Sequence, residues 1–215
     1  MEIGLTGYDS RLKRLAHDPR FILINNYKCG YSSSNKLRHQ PVNSIEQKDK
    51  VIFFYRSIYM RCISCFIHWF ITDARYETER GWLFFNIKRA MTDAAYHDFL
   101  ILLRTGQHAT AFSVFLEKLD VIEAWNDHTK PQTRILEYYQ VDRIDHFIEL
   151  EKCRPFREIT GIDFPYDMAN RSPTPLKLSL IDVLLSEDRL RGALQEIYRQ
   201  DLEFQERNNL ACLLF

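Results

Sequence analysis

The chain of 215 residues has little glycine, little proline and no net charge. Seven residues of each of these two types exclude collagen-like and linker-dominated sequences. Lysine and arginine together number 29, as do aspartate and glutamate. No overall positive field would therefore draw the chain to nucleic acid or to an anionic membrane, although a local anion-binding site is compatible with this balance.

Long apolar segments are also missing. A membrane-spanning helix needs about 20 apolar residues, whereas the most apolar run, from Cys62 to Ile71, has about half that length and contains His68. The N-terminal residues contain no apolar core of the kind that marks a secretory signal. We therefore expect no membrane span.

Cysteines are few and irregularly spaced, at Cys29, Cys62, Cys65, Cys153 and Cys212. An odd number without paired spacing is typical of a reduced, cytoplasmic protein. Cys62 and Cys65 form a C-x-x-C pair inside a helical apolar pattern, and no second pair accompanies them. We interpret both as core residues rather than as metal ligands or a redox pair.

Strands that alternate with helices are what the sequence does contain. Short apolar runs predict buried strands at residues 21–24, 51–55 and 144–150. Amphipathic spacing predicts helices at residues 58–74, 91–104, 109–119, 151–160 and 186–207. This order favours an α/β fold with a mostly parallel sheet flanked by helices. We expect a single domain over 1–215, with an N-terminal extension at 1–19, a proline-rich surface connection at 163–175 and C-terminal helices at 176–215.

The strongest chemical signal is the turn after the first predicted strand. Lys28 and Gly30 precede three serines at 32–34, which predict the N-cap of a helix that runs to about Gln40 and stops at Pro41. A helix N-terminus binds anions because its first N–H groups lack intrahelical partners and carry positive partial charge. The alternative is an ordinary turn capped by serine. The P-loop signature G-x-x-x-x-G-K-[ST] is absent.

A second anion site is predicted beyond the second strand. Arg56 ends that strand, and Ser64 lies two turns along the helix that follows. A planar guanidinium suits bidentate contact with a phosphate, and the serine hydroxyl can converge on the same group. The alternative is a solvated arginine and a serine that faces the core. Because the two predicted sites occupy the first two strand–helix units, together they indicate a ligand with two separate phosphate groups.

These motifs resemble those of the sulfotransferases that use 3′-phosphoadenosine 5′-phosphosulfate (PAPS), above all the carbohydrate-sulfotransferase branch. Residues 28–33, Lys-Cys-Gly-Tyr-Ser-Ser, are similar to the loop that holds the 5′-phosphosulfate. Residues 54–64 are similar to the 3′-phosphate segment at Phe54, Arg56, Arg61 and Ser64. The resemblance covers most of residues 20–205 in order, with later matching segments at 112–119, 128–132, 138–156 and 198–204.

The resemblance implies an α/β fold of P-loop type, and it implies how the cofactor would be bound. The 3′-phosphate would be held by Arg56 with Ser64. The 5′-phosphosulfate would be held by Lys28, Cys29, Gly30, Tyr31, Ser32 and Ser33.

The resemblance also implies a reaction, the direct in-line transfer of a sulfuryl group from PAPS to a hydroxyl or amine acceptor. The expected acceptor is a carbohydrate, the product is 3′,5′-ADP, and no metal ion is expected. Lys28 would stabilise charge on the bridging oxygen. His128 is the first candidate for the general base and His39 the second. The alternatives for His128 are a contact with substrate or cofactor and a structural role in its loop.

Two other classes of function stay open. One is a non-catalytic binding protein with a sulfotransferase-like fold, and the other is a P-loop nucleotide kinase, which the missing signature disfavours. We expect a cytoplasmic protein that acts on a small molecule or a glycan and binds no nucleic acid. A homodimer is an expectation from the family alone.

Overall fold

The computed structural model describes residues 12–24, 34–72, 82–123, 129–165 and 174–210. The chain divides into two compact units, each assembled from two separate stretches of sequence. The first unit comprises Met1–Arg56 and Gln132–Asn170, and the second comprises Ser57–Pro131 and Arg171–Phe215. The chain therefore leaves the first unit after Arg56 and returns to it at Gln132.

The described strands all belong to the first unit, and most of the described helices belong to the second. The strands are β1 Leu12–Leu15, β2 Phe21–Ile24, β3 His39–Val42, β4 Lys50–Tyr55 and β5 His146–Glu149. The helices are α1 Ile58–Phe66, α2 Trp82–Arg89, α3 Asp93–Arg104, α4 His108–Glu117, α5 Leu119–Glu123, α6 Arg134–Tyr138, α7 Arg154–Thr160, α8 Thr174–Ser186, α9 Asp188–Ile197 and α10 Arg199–Arg207. A π-helical segment, Ile67–Thr72, continues α1, and a 3₁₀ turn, Leu150–Lys152, precedes α7.

The sheet of the first unit has five strands in the order β3-β1-β2-β4-β5. β2, β4 and β5 are parallel neighbours, whereas β1 is antiparallel to both β2 and β3. The predicted α/β class is confirmed, and the sheet as a whole is mixed. The reason is the short connection at residues 16–20, because a tight hairpin can join only antiparallel strands. Residues 12–15, expected to lie in an N-terminal extension, thus form an interior strand of the sheet.

Both faces of the sheet are buried, and one of them carries a hydrophobic cluster of the first unit. Side chains alternate between the two faces of a strand, and on this face Leu23, Ile52 and Ile148 are almost completely buried. Phe54 packs on the same face against Phe164, with ring centroids 4.5 Å apart. The predicted helix at 151–160 is confirmed in its main part by α7, which ends at Gly161 in the left-handed conformation at φ 76°.

The extent of the helix predicted to run to Gln40 is wrong, because residues 39–42 form strand β3, whereas the predicted start at residues 32–33 lies outside the described residues. β3 pairs with β1 in antiparallel register, with Pro41 opposite Lys13. Unpaired backbone groups along an edge of β1 would be costly if buried, and β3 satisfies them. Proline is tolerated here because β3 lies at the edge of the described sheet, where one side of the strand needs no ladder hydrogen bonds.

The second unit packs its described helices around an aromatic core. The ring centroids of Phe66 and Phe70 lie 5.4 Å apart. The ring of Phe70 also packs edge to face against that of Phe99, with centroids 5.2 Å apart. Phe112 and Phe115 of α4 complete this cluster and are fully buried. The helical spacing predicted for residues 109–119 marks the core-facing side of α4, although α4 ends at Glu117 and Leu119 begins α5.

Several helix boundaries differ from those predicted. The helix expected at 58–74 is α1 followed by the π-helical segment. The single helix expected at 186–207 is two helices, α9 and α10, with Tyr198 between them. Within residues 12–24, 34–72, 82–123, 129–165 and 174–210, no helix is both long enough and apolar enough to span a bilayer.

Candidate functional site

The candidate site begins at the carboxyl ends of the parallel strands. β2, β4 and β5 run in the same direction, so their last residues meet at one edge of the sheet. Ligands of open α/β sheets bind at this edge. The predicted residues Lys28, Cys29, Gly30, Tyr31, Ser32, Ser33 and His128 lie outside the described residues, and their roles stay predictions.

Arg56 directly follows β4 and is held on both its backbone and its side chain. The Gln132 amide donates to the carbonyl oxygen of Arg56 at 2.8 Å and accepts from its N–H at 2.9 Å. The Nε–H of Arg56 donates to Oε1 of Glu151 at 2.5 Å. Arg56 is 9% exposed, which excludes the alternative of a solvated surface arginine.

Gln132 and Glu151 were not selected from the sequence as site residues. Glu151 comes two residues after the end of β5, just as Arg56 comes directly after β4. The rule that side chains beyond parallel strand ends meet at one edge could therefore have identified Glu151. Gln132 lies in the segment 128–132 that resembles the family, but its contact with Arg56 could not be predicted, because the two residues are 76 positions apart in sequence.

Ser64 lies on α1 and is half-buried. Arg56 belongs to the first unit and Ser64 to the second. Their convergence on one phosphate stays a prediction. The expectation that α1 directly follows the strand carrying Arg56 is confirmed, since α1 starts at Ile58.

A buried lysine, Lys13, lies beside the end of β2. Lys13 pairs with Leu23 on β2, one row before the strand ends at Ile24. Its Nζ donates to Oδ1 of Asn35, and the residue is 2% exposed. Burial lowers the pKa of Lys13 to about 8, because the charged form loses hydration. The amine is still mostly protonated at neutral pH, so it adds positive charge near the carboxyl end of β2.

His39, the second candidate for a general base, lies at the other end of the sheet. His39 pairs with Leu15 of β1, whereas Ile24, the last residue of β2, pairs with Leu12. Leu12 and Leu15 are three residues apart, which corresponds to about 10 Å along a strand. The ring Nδ1 lies 2.7 Å from the carbonyl oxygen of Leu37. His39 is therefore poorly placed for chemistry at the carboxyl edge, and His128 is the candidate that we retain.

Arg61, which in the sequence matches an arginine of the family's 3′-phosphate segment, lies inside the second unit. Its guanidinium is 3.5 Å from the carboxylate of Asp201 and donates to the Lys130 carbonyl oxygen at 2.8 Å. Arg61 and Asp201 are each 1% exposed. The Tyr198 hydroxyl donates to the Thr129 carbonyl oxygen in the same cluster, and burial raises the pKa of Tyr198 well above its usual range. This arrangement supports a packing role for Arg61.

The interpretation of Cys62 and Cys65 as core residues is supported by their burial, since each is 1% exposed. Burial raises the pKa of the Cys62 thiol to about 12, so it stays protonated at neutral pH and is a poor nucleophile or metal ligand. No group of three or more His, Cys, Asp or Glu side chains suited to a metal ion occurs in the part of the chain that the structure describes.

Comparison of the chain with protein-family models, with curated proteins and with solved structures finds no match.

Proposed function

We propose that the protein transfers a sulfuryl group from PAPS to a hydroxyl or amine acceptor, a carbohydrate by preference, and releases 3′,5′-ADP. One observation carries the proposal. β2 and β4 are adjacent and parallel, with Ile24 opposite Phe53. The segment with Lys28 follows β2 and Arg56 follows β4, so the two predicted anion-binding elements leave the sheet from neighbouring strands at the same edge.

In this proposal Arg56 binds the 3′-phosphate, and a contact from Ser64 stays a prediction from the sequence. A guanidinium has five N–H donors, and the bond from Nε to Glu151 sets its orientation. Gln132 fixes the backbone from which the side chain projects. A phosphate contact thus meets a cation that is already oriented, which reduces the entropy lost on binding.

The 5′-phosphosulfate would be bound by residues 28–33, with Lys28 at the reacting end. An acceptor oxygen attacks sulfur while the bond from sulfur to the bridging oxygen of PAPS breaks. His128 takes the proton of the acceptor hydroxyl, and Lys28 stabilises the negative charge on the departing phosphate oxygen. Loss of such a stabilising group lowers the rate by about 10²–10³.

Isothermal titration calorimetry with 3′,5′-ADP tests the proposal. We expect binding that weakens about tenfold or more in Arg56→Ala and in Lys28→Ala, since each removes a charge-assisted contact. Arg154→Ala is the matched control, because Arg154 is an exposed arginine of the same unit, with 90% of its side chain accessible. Circular dichroism checks that each variant folds. Folded protein that does not bind 3′,5′-ADP at about 1 mM, an affinity of only about −4 kcal/mol, contradicts the proposal.

The second candidate is a non-catalytic protein that binds the nucleotide. The ion pair between Arg56 and Glu151 orients a cation for a phosphate but takes no part in a transfer step, so it is equally compatible with binding alone. This candidate predicts 3′,5′-ADP binding without sulfuryl transfer to any hydroxyl acceptor, and no change of cellular phenotype in Lys28→Ala. A transfer activity that is lost in Lys28→Ala excludes it.

A further inference from the structure

A groove of about 940 Å³ lies at the amino ends of β4 and β5, opposite to the carboxyl ends described above. Its walls are residues 43–47, which lead into β4, and residues 138–143, which lead into β5. These segments precede the amino ends of the two strands, whereas Arg56 and Glu151 follow the carboxyl ends. The volume is within the range of about 300–1,000 Å³ that small-molecule sites occupy.

Hydrogen bonds hold the two walls in place. The Arg143 guanidinium donates to the carbonyl oxygens of Asp49 and Gln47, at 2.5 and 3.1 Å, and so joins one wall to the other. The Asp49 carboxylate is fully buried, and it accepts two hydrogen bonds from Arg14 and one from the N–H of Glu46. The groove is therefore preformed, which lowers the conformational cost of binding a ligand.

The second wall ends in an aromatic corner. The ring centroids of Tyr138 and Tyr139 lie 4.9 Å apart, and the angle between the two ring planes is 85°. Tyr138 is 40% exposed. Hydrogen bonds from the N–H groups of Tyr139, Gln140 and Val141 to carbonyl oxygens of α6 fix the backbone here. A tyrosine ring offers an apolar face and a polar tip, which suits a ligand with one apolar and one hydroxylated side.

The remaining side chains of the lining are rich in hydrogen-bonding groups. Three carboxamides, Asn43, Gln47 and Gln140, can each donate and accept, and two carboxylates, Glu46 and Asp142, accept. Hydroxyl groups of a ligand both donate and accept, so they match such a set. Tyrosine faces combined with carboxamides and carboxylates fit the alternating C–H faces and hydroxyl rims of a sugar.

Charge argues against an anionic ligand in this groove. Its lining includes Glu46 and Asp142 but only one cation, Arg143. The Arg143 side chain is engaged by backbone carbonyl oxygens and lies 3.4 Å from the carboxylate of Asp145. Nucleotides and sulfated glycans would thus meet net negative charge. An extended peptide would find connecting segments here rather than a strand edge with which to pair.

We propose that this groove, residues 43–47 and 138–143, binds a short neutral oligosaccharide, with one sugar ring stacked on Tyr138. The carboxamides and carboxylates hydrogen-bond its hydroxyl groups. This site is separate from the carboxyl edge of the sheet, and the proposal does not rest on sulfuryl transfer.

Titration of the full chain with maltotriose, cellotriose and triacetylchitotriose, followed by calorimetry and saturation-transfer NMR, tests the site. We expect at least one trisaccharide to bind with a Kd below about 10 mM. Tyr138→Ala should weaken that binding about tenfold, and Tyr138→Phe should preserve it, because the ring carries the contact. Asp142→Ala, in the exposed part of the wall, should also weaken it. Phe85→Ala is the matched control, since Phe85 is an aromatic residue of the second unit with 56% exposure.

Three results would overturn this proposal. One is the failure of all three trisaccharides to bind. Another is binding that is unchanged in both Tyr138→Ala and Asp142→Ala, as expected for an acceptor bound at the carboxyl edge. The last is binding of ATP or of a sulfated trisaccharide, but of no neutral one, that depends on Tyr138. Titration of 3′,5′-ADP into the same variants is a separate measurement. It tests nucleotide binding at the carboxyl edge, whatever the outcome of the trisaccharide titrations.

Discussion

Single charged residues show how burial and pairing compete in this protein. Burial by itself raises the pKa of a carboxyl group, and for Asp49 it is the largest single influence. The hydrogen bonds from Arg14 and from the Glu46 N–H nevertheless bring the pKa of Asp49 below its usual value of 3.8. The charged form is thus the one that the fold stabilises, and Asp49 anchors the turn that leads into β4.

This balance makes a prediction about acid stability. The pKa of Asp49 is lowered by folding, so its contribution is fully present above pH 3.8, the pKa in the unfolded chain. The contribution is lost as the pH falls from that value through the folded pKa. We expect Asp49→Asn to reduce the free energy of unfolding by about 3 kcal/mol at pH 7, since it breaks a buried ion pair. The difference from the parent should shrink in strong acid.

Urea denaturation at pH 7, 5 and 3 measures this effect. Glu158→Gln is the control, because the Arg154–Glu158 pair is largely exposed and exposed pairs contribute little. A constant difference between Asp49→Asn and the parent from pH 7 to pH 3 would show that the lost interaction does not depend on ionisation.

Among the elements, two glycines illustrate opposite requirements of helices. Gly161 ends α7 at φ 76°, a conformation that side chains with a Cβ rarely adopt. Gly192 lies within α9. A Cβ added at either position would meet nothing within 4 Å. Any difference between the two substitutions must therefore come from the backbone rather than from steric contact.

We expect Gly161→Ala to lower the free energy of unfolding by about 1 kcal/mol, because the left-handed conformation is costly for alanine. Gly192→Ala should raise it by about 0.5–1 kcal/mol, because alanine favours the helix and restricts the unfolded chain. Thermal and urea unfolding of both variants measure the two signs. Equal effects at the two positions would contradict the backbone explanation.

Strand β3 shows how an element can escape prediction. Three serines and a following proline are the usual signals of a short helix between them. Residues 39–42 nevertheless pair with β1, which is itself formed by residues whose sequence did not indicate a strand. Backbone pairing along β1 therefore outweighs the local preference of this segment.

For the whole molecule, the defining feature is that each unit is assembled from two distant stretches of chain. In the helical unit, the ion pair between Arg61 on α1 and Asp201 on α10 joins these stretches across 140 residues of sequence. Both side chains are buried, and an unpaired buried charge would raise the free energy of the folded state. Each side chain therefore neutralises the charge of the other. The pair thus links the two stretches of the second unit, Ser57–Pro131 and Arg171–Phe215.

We expect Arg61→Met and Asp201→Leu each to destabilise the protein by about 3–5 kcal/mol, since each leaves one buried charge without its partner. The double variant should be more stable than either single variant, because it buries no charge. A double-mutant cycle by urea denaturation measures the coupling. Destabilisations that simply add would show that the two side chains act independently.

The sequence alone determined which segments are buried and what type of element most of them form. The apolar runs that became β2, β4 and β5, the core-facing residues of α4 and the buried Cys62 and Cys65 could all be identified, because burial leaves a periodic pattern in neighbouring residues. It also identified Arg56 as the end of a strand. The residues 28–33 and His128 of the predicted site lie outside the described part of the chain.

Which residues contact one another depends on the tertiary structure. Glu151 reaches Arg56 across 95 residues of sequence, and Lys13 reaches Asn35 across 22. The order of the strands also decided that His39 lies far from the carboxyl edge and that two connecting segments form a groove on the other side. A local pattern reports how deeply a residue is buried, whereas its partners depend on strand order and register, which are set by contacts between distant parts of the chain.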